Sequence, residues 1–335
     1  MRPSYTSCAE HFRAQKSPRQ YKWLPLAAET PTPTMIPGDS PFLRLPTEIR
    51  LQIYSLLVLP HEHNDLLPSY EKISASAQDC FDYDRTMPGT TRPATADIHN
   101  PTLRLRTIDP LRYDQRSGRV QEQQVRSAYS VHGDRFRARC LGTTYHCVNN
   151  STINEGIGIL GTNKQIHSEV AELLYSHYKF DFDTHVEAIV PFLQDLTPFS
   201  RSCIRSIRIV KRPLVFEKEF DRCEWANAMQ YLSQPECGMN LRSLDLGIVA
   251  GRPGLRGWDL VPAYTASDFR TLKSMEGMEW LRELLEIKGL QELNLSTIVE
   301  HCPPATNSMA MAGYIRFSAS IEHGLSKFLR SEMLA

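Results

Sequence analysis

The chain has 335 residues and a formal net charge of zero, so no global field draws it toward nucleic acid or a membrane surface. No apolar run approaches the ~20 residues that a spanning helix needs. The eight cysteines include no close C-x-x-C pair, which argues against a zinc ribbon or redox dithiol and for reduced thiols in the cytoplasm and/or nucleus.

Residues 1–40 hold Pro3, Pro18, Pro25, Pro31, Pro33 and Pro37 among polar residues. This composition cannot offset its ordering entropy by burial, so a disordered tail is expected. Order is expected from Pro41 onward. Pro46 suits a first helical position and Glu48 favours the helix dipole. Leu45, Ile49, Ile53, Leu56 and Leu57 form one apolar stripe, and Pro60 ends the helix.

Residues 61–155 read as an insertion with split charge, acidic from His61 to Ile98 and rich in arginine, without lysine, from His99 to Cys140. Arg104 and Arg106 alternate with Leu103 and Leu105, and Arg135, Arg137 and Arg139 alternate with Phe136, Ala138 and Cys140. Two strands with arginine-studded outer faces are the simplest account. Such a face is either solvated or recognises an anion such as a phosphorylated or acidic peptide, because the guanidinium fork binds phosphate bidentately. Nucleic acid is disfavoured, since no aromatics interleave for stacking.

Gly156, Gly158 and Gly161 have the spacing of a dinucleotide loop, but Ser151 to Glu155 is a poor strand and no βαβ unit follows. They are read as a flexible hinge leaving the insertion. Thr162 to Gln165 has the form of a capping box, and Ile166, Val170, Leu173 and Leu174 supply the stripe of the next helix. This helix, over 162–176, is expected to pack against the one at 46–58. Tyr178, Phe180 and Phe182 then alternate as a strand. Thr184 and Glu187 open a further helix, disturbed at Pro191.

Three later stretches share one pattern, aliphatic-x-x-aliphatic-x-aliphatic: Ile204 to Ile209, Leu241 to Leu246 and Leu290 to Leu295. Helical segments separate them, carrying Phe220, Trp225, Met229 and Leu232, then Met278, Leu281, Leu284 and Leu285. Strands that return after a helix are parallel neighbours in nearly all cases. With Ile207, Leu244 and Leu293 inward, alternation turns Arg208, Asp245 and Asn294 outward at equivalent positions, flanked by Ser206, Ser243 and Glu292. That face is the expected partner-binding surface. A final helix with Ile321, Leu325, Phe328 and Leu329 is placed to cap the array.

No G-x-S-x-G, P-loop or H-E-x-x-H occurs. His146-Cys147 and His301-Cys302 are adjacent pairs, which rarely face one ion. No catalytic set, cofactor or metal is expected.

The segment Leu45-Pro46-x-Glu48-Ile49-x-x-x-Ile53 resembles the opening of an F-box, the helical module that docks substrate receptors on the Skp adaptor of SCF-type ubiquitin ligases. A closer resemblance is to fungal F-box-like proteins, which pair such a helix with a later block. Here that block is Leu160 to Glu169, then Leu173-Leu174-Tyr175 through Phe180 and Phe182. The block departs from the commonest form at Gly161 and Asn163. The resemblance covers residues 42–59 and 158–210 and implies adaptor docking through Leu45, Pro46, Ile49 and Ile53.

The expected fold is α/β: an F-box-like helical module over 41–200, interrupted by the partly β insertion 61–155, then an irregular leucine-rich-repeat-like array over 201–335. Strand spacings of 37 and 49 residues, from Ile207 to Leu244 and on to Leu293, exceed the roughly 20–29 of regular leucine-rich repeats. The expected function is a non-catalytic substrate receptor recruiting a protein to a ubiquitin ligase. The alternative is a scaffold of the same fold that does not bind the Skp adaptor, with a small-molecule enzyme third.

Overall fold

The computed structural model describes residues 40–60, 100–108, 129–131, 141–147, 153, 156–213, 219–251, 262–299 and 309–334. The tail expected over 1–40, apart from Ser40, and the segment with Arg135, Arg137 and Arg139 lie outside those residues. The chain divides into two units, Met1–Leu45 and Pro46–Ala335. In the first, Pro41–Arg44 form a 3-10 turn with proline at its first position.

The second unit is mixed helix and strand around a seven-stranded sheet in the order β2-β3-β1-β4-β5-β6-β7. Its strands are β1 (Thr102–Ile108), β2 (Tyr129–Val131), β3 (Leu141–Cys147), β4 (Lys179–Asp183), β5 (Ser206–Lys211), β6 (Ser243–Ala250) and β7 (Glu292–Val299). β1, β4, β5, β6 and β7 form a five-stranded parallel sheet, and β3 and β2 extend it antiparallel beyond β1. Residues read as an insertion therefore supply three strands. β4 pairs with β5, so one sheet runs across residue 200.

The repeat strands lie side by side in the expected register. Ile207, Leu244 and Leu293 are aligned, as are Arg208, Asp245 and Asn294. The same rows continue outward: Leu103 and Phe180 join the first, Arg104 and Asp181 the second. All five residues of the first row are buried. Each such side chain contributes about 1.5–3 kcal/mol, and slipping any strand by one residue would exchange this row for the charged one.

Nine helices are described: α1 (Thr47–Val58), α2 (Lys164–His177), α3 (Ile189–Asp195), α4 (Pro198–Cys203), α5 (Glu219–Ser233), α6 (Ala266–Leu272), α7 (Glu279–Leu284), α8 (Met309–Ser320) and α9 (Ser326–Met333). Right-handed crossovers between strands in sequential order put the connecting helices on one face. Lys211, on the Ile207 side of β5, marks that face, with its Nζ 4.6 Å from the centroid of the Trp225 ring on α5. Trp225 in turn donates its indole N–H to the Trp280 carbonyl at 3.2 Å, tying α5 to α7. No described helix is long and apolar enough to cross a membrane.

The C-terminal helices lie along β7. Ile321, Leu325, Phe328 and Leu329 are all buried. Leu290 bridges Leu334 in parallel, and Arg330 Nε donates to the Leu293 carbonyl at 3.3 Å. An edge strand with its carbonyl engaged in this way is a poorer template for aggregation.

Local departures from the sequence reading have simple causes. Asn163, not Thr162, caps α2, its side chain accepting the Gln165 N–H at 2.8 Å. Residues Ile157–Gly161 form a 3-10 turn, not a flexible hinge. Gly156 is needed there because a Cβ would lie 2.2 Å from the Leu57 carbonyl oxygen. β4 carries a register shift between Asp181 and Asp183. Asp183 has φ of 50° and donates its N–H to Asp181 Oδ1 at 2.9 Å, a local bond that lets aspartate occupy the left-handed region.

Candidate interaction surfaces

The first surface is α1. Its hydrophobic stripe was expected to face the protein interior. Instead Ile49 is 42% exposed, Leu56 62% and Leu57 40%, while Arg50, Tyr54 and Val58 are buried. The helix does meet α2, but through this second, polar stripe. Arg50 Nε and Nη2 donate to Glu169 Oε2 and Oε1 at 3.0 and 2.6 Å. Tyr54 donates its hydroxyl to Glu169 Oε2 at 3.0 Å, and Tyr178 donates to the Val58 carbonyl at 2.8 Å.

Glu169 thus receives a guanidinium fork, a phenol and the Gln165 amide at 3.1 Å. Its carboxyl is held down at about 2, first by the hydrogen bonds from Arg50, with burial opposing. The Tyr54 phenol is pushed up to about 12 by burial and then by its bond to Glu169. A bidentate, charge-assisted pair is geometrically selective. It therefore fixes which face of α1 turns inward.

Of the four residues the resemblance implied, Pro46 is the exposed N-cap of α1, Ile49 is exposed and Ile53 half-exposed. Leu45 is half-buried and belongs to the first unit. Leu56 and Leu57, on the same side of α1 as Ile49 and Ile53, belong to the apolar stripe read from the sequence but not to the four docking residues. An amphipathic helix facing solvent has the same periodicity as one facing a core.

The second surface is the sheet face away from Lys211 and Trp225. Across five strands it carries the rows Thr102, Lys179, Ser206, Ser243, Glu292 and Arg104, Asp181, Arg208, Asp245, Asn294. Lys179 Nζ donates to Asp245 Oδ2 at 2.5 Å, so the cation on Asp245 is Lys179 of β4 and not Arg208 of the adjacent strand. Asn294 Nδ2 donates to Asp245 Oδ1 at 3.1 Å and to Glu292 Oε1 at 2.9 Å, and Ser243 donates to Glu292 Oε2 at 3.0 Å. Sequence reading missed Lys179. The signal was present, because Phe180-x-Phe182 has the same inward alternation as Ile207-x-Ile209.

The anion-binding expectation for Arg106 is corrected. Arg106 is mostly buried, donates to the Asp181 carbonyl at 2.8 Å and pairs with Asp181 and Asp183 at 3.5 and 3.4 Å. Its fork is taken up within the protein. Arg104 stands half-buried in the polar row.

For chemistry, the described residues offer one acid raised above its usual range, Glu224 on α5. Burial pushes it up to about 7, Glu187 adds to the shift and a hydrogen bond with Asn227 opposes it. His185 Nδ1 lies 3.5 Å from Glu187 Oε1. Among the described residues no His, Cys, Asp or Glu cluster is arranged to hold a metal ion. A scan of protein-family models and searches of curated proteins and solved structures each return no match.

Proposed function

We propose that the chain is a non-catalytic interaction protein, an F-box-like substrate receptor that docks a Skp-type adaptor through α1 and a protein substrate through an irregular leucine-rich-repeat-like sheet. The observation that carries this reading is the inverted face of α1. Ile49, Ile53, Leu56 and Leu57 stand toward solvent while the Arg50–Glu169 pair holds the helix against α2. A helix that leaves contiguous aliphatics exposed over two turns fits a partner groove better than it fits water. The repeated strand-then-helix units, with polar residues aligned across five parallel strands, support the array reading.

The test is affinity purification of the full chain with a Skp-type adaptor and cullin. Co-purification is expected, with loss in Ile49→Asp combined with Leu56→Asp. An unchanged pull-down from the folded double variant removes this docking surface. No adaptor with wild type favours the alternative, a scaffold of the same fold.

A further inference from the structure

We infer that the polar, N-terminal half of the sheet face over β5–β7, ahead of the buried Val210 and Val249, recognises a protein segment carrying an acidic side chain and, roughly 10–12 Å away, a basic one. This deepens the interaction reading above and does not depend on adaptor docking through α1. The argument is one of charges already committed. Arg208 stands between Asp181 and Asp245 in register, yet both carboxylates are taken by other cations, Asp181 by Arg106 and Asp245 by Lys179. Among the described residues, the Arg208 side chain makes no hydrogen bond or ion pair, although it is partly exposed. A partly exposed guanidinium fork without a side-chain partner is a group able to receive an anionic oxygen.

Two strands away lies the complementary charge. Glu292 is exposed and accepts only from the neutral donors Ser243 and Asn294. Once internal pairs are removed, the β5–β7 face keeps a positive group over β5 and a negative one over β7. Two strand spacings and an offset of two residues along the strands separate their backbone positions by roughly 12 Å. Residues i and i+3 of a polyproline-type segment, about 9 Å apart, or i and i+7 of a helix, about 10.5 Å apart, lie on one side and meet both groups through the reach of their long side chains. Nucleic acid fits poorly, since a string of phosphates would meet Asp245 and Glu292 as well as Arg208. An isolated carboxylate would meet Arg208 alone.

The test uses the immobilised full chain to select from displayed libraries of randomised helical and proline-constrained peptides. Wild type is expected to enrich peptides pairing Asp or Glu with Lys or Arg at these spacings. Arg208→Gln should lose the acidic preference and Glu292→Gln the basic one, each retaining the other. A selected peptide should bind Arg208→Gln roughly tenfold more weakly. Replacing the peptide's own acid by its amide should then cost nothing further in that variant. Because Arg208 has no partner to lose, its melting temperature should stay within about 2 °C of wild type.

Enrichment without charge preference, or the same preference in wild type and Arg208→Gln, overturns the proposal. So does binding of an oligonucleotide that Arg208→Gln weakens when no acidic peptide is enriched. Failure of adaptor co-purification, read with the α1 variants, leaves this result standing.

Discussion

α1 and the parallel sheet present opposite patterns. The sheet hides its aliphatic row and leaves Arg208, Asp245 and Asn294 at least partly exposed, whereas α1 hides Arg50 and Tyr54 and shows Ile49 and Leu56. A strand offers only two faces, and five aligned strands agree on which is apolar. A twelve-residue helix offers overlapping stripes, and the one turned inward is decided by what the neighbouring helix presents. Here the neighbour presents Glu169. The comparison teaches that apolar periodicity locates a helix but does not orient it when a buried carboxylate can draw a charged stripe inward.

The sheet side of this contrast breaks hardest at Leu244, which is fully buried on β6 between β5 and β7. Leu244→Ala should cost about 2–5 kcal/mol in chemical denaturation. A cost under about 1 kcal/mol would contradict the assigned row. On the α1 side the corresponding break is Glu169→Gln, which strips the carboxylate from Arg50 and Tyr54. We expect the melting temperature to fall by roughly 5 °C or more. The pH dependence sharpens the point. With the Glu169 carboxyl lowered from its usual 4.5 to about 2, its stabilisation is complete above pH 4.5 and fades as pH falls toward 2. In Glu169→Gln that acid limb should flatten.

Glu224 behaves in the reverse sense. Its raised value of about 7 means that the folded state keeps a proton which the unfolded state releases between pH 4.5 and 7. Stability therefore declines through that window as pH rises. Glu224→Gln should remove the decline and gain about 1 kcal/mol at pH 8, read from denaturation midpoints at several pH values. Asp245→Asn, which weakens a partly exposed pair with Lys179, should cost no more than about 1 kcal/mol. The smallest stability change is expected for Ile49→Asp with Leu56→Asp, within about 0.5–1 kcal/mol because both side chains already face water. A collapse of that double variant would show the stripe to be core after all.

Much of the architecture was legible before any coordinates. The x-aliphatic-x-aliphatic strands, their parallel order and the emergence of Arg208, Asp245 and Asn294 at one level follow from side-chain alternation and crossover handedness, both local and chiral properties of the chain. The meeting of α1 with α2 across about a hundred residues was also expected, from their apolar stripes, but the contact is made by Arg50 and Tyr54 on the other side of α1. Three things were not legible. Which stripe of α1 faces inward depends on Glu169, 119 residues from Arg50. The partner of Asp245 is Lys179, 66 residues away, and not the neighbouring strand's Arg208. The place of β1 beside β4, which makes a presumed insertion part of the central sheet, depends on pairing between Leu103 and Phe180. Alternation and handedness act within a few residues and are written in the local sequence. Ion pairing and strand adjacency are choices among many chemically equivalent partners, and only the closed tertiary structure decides them.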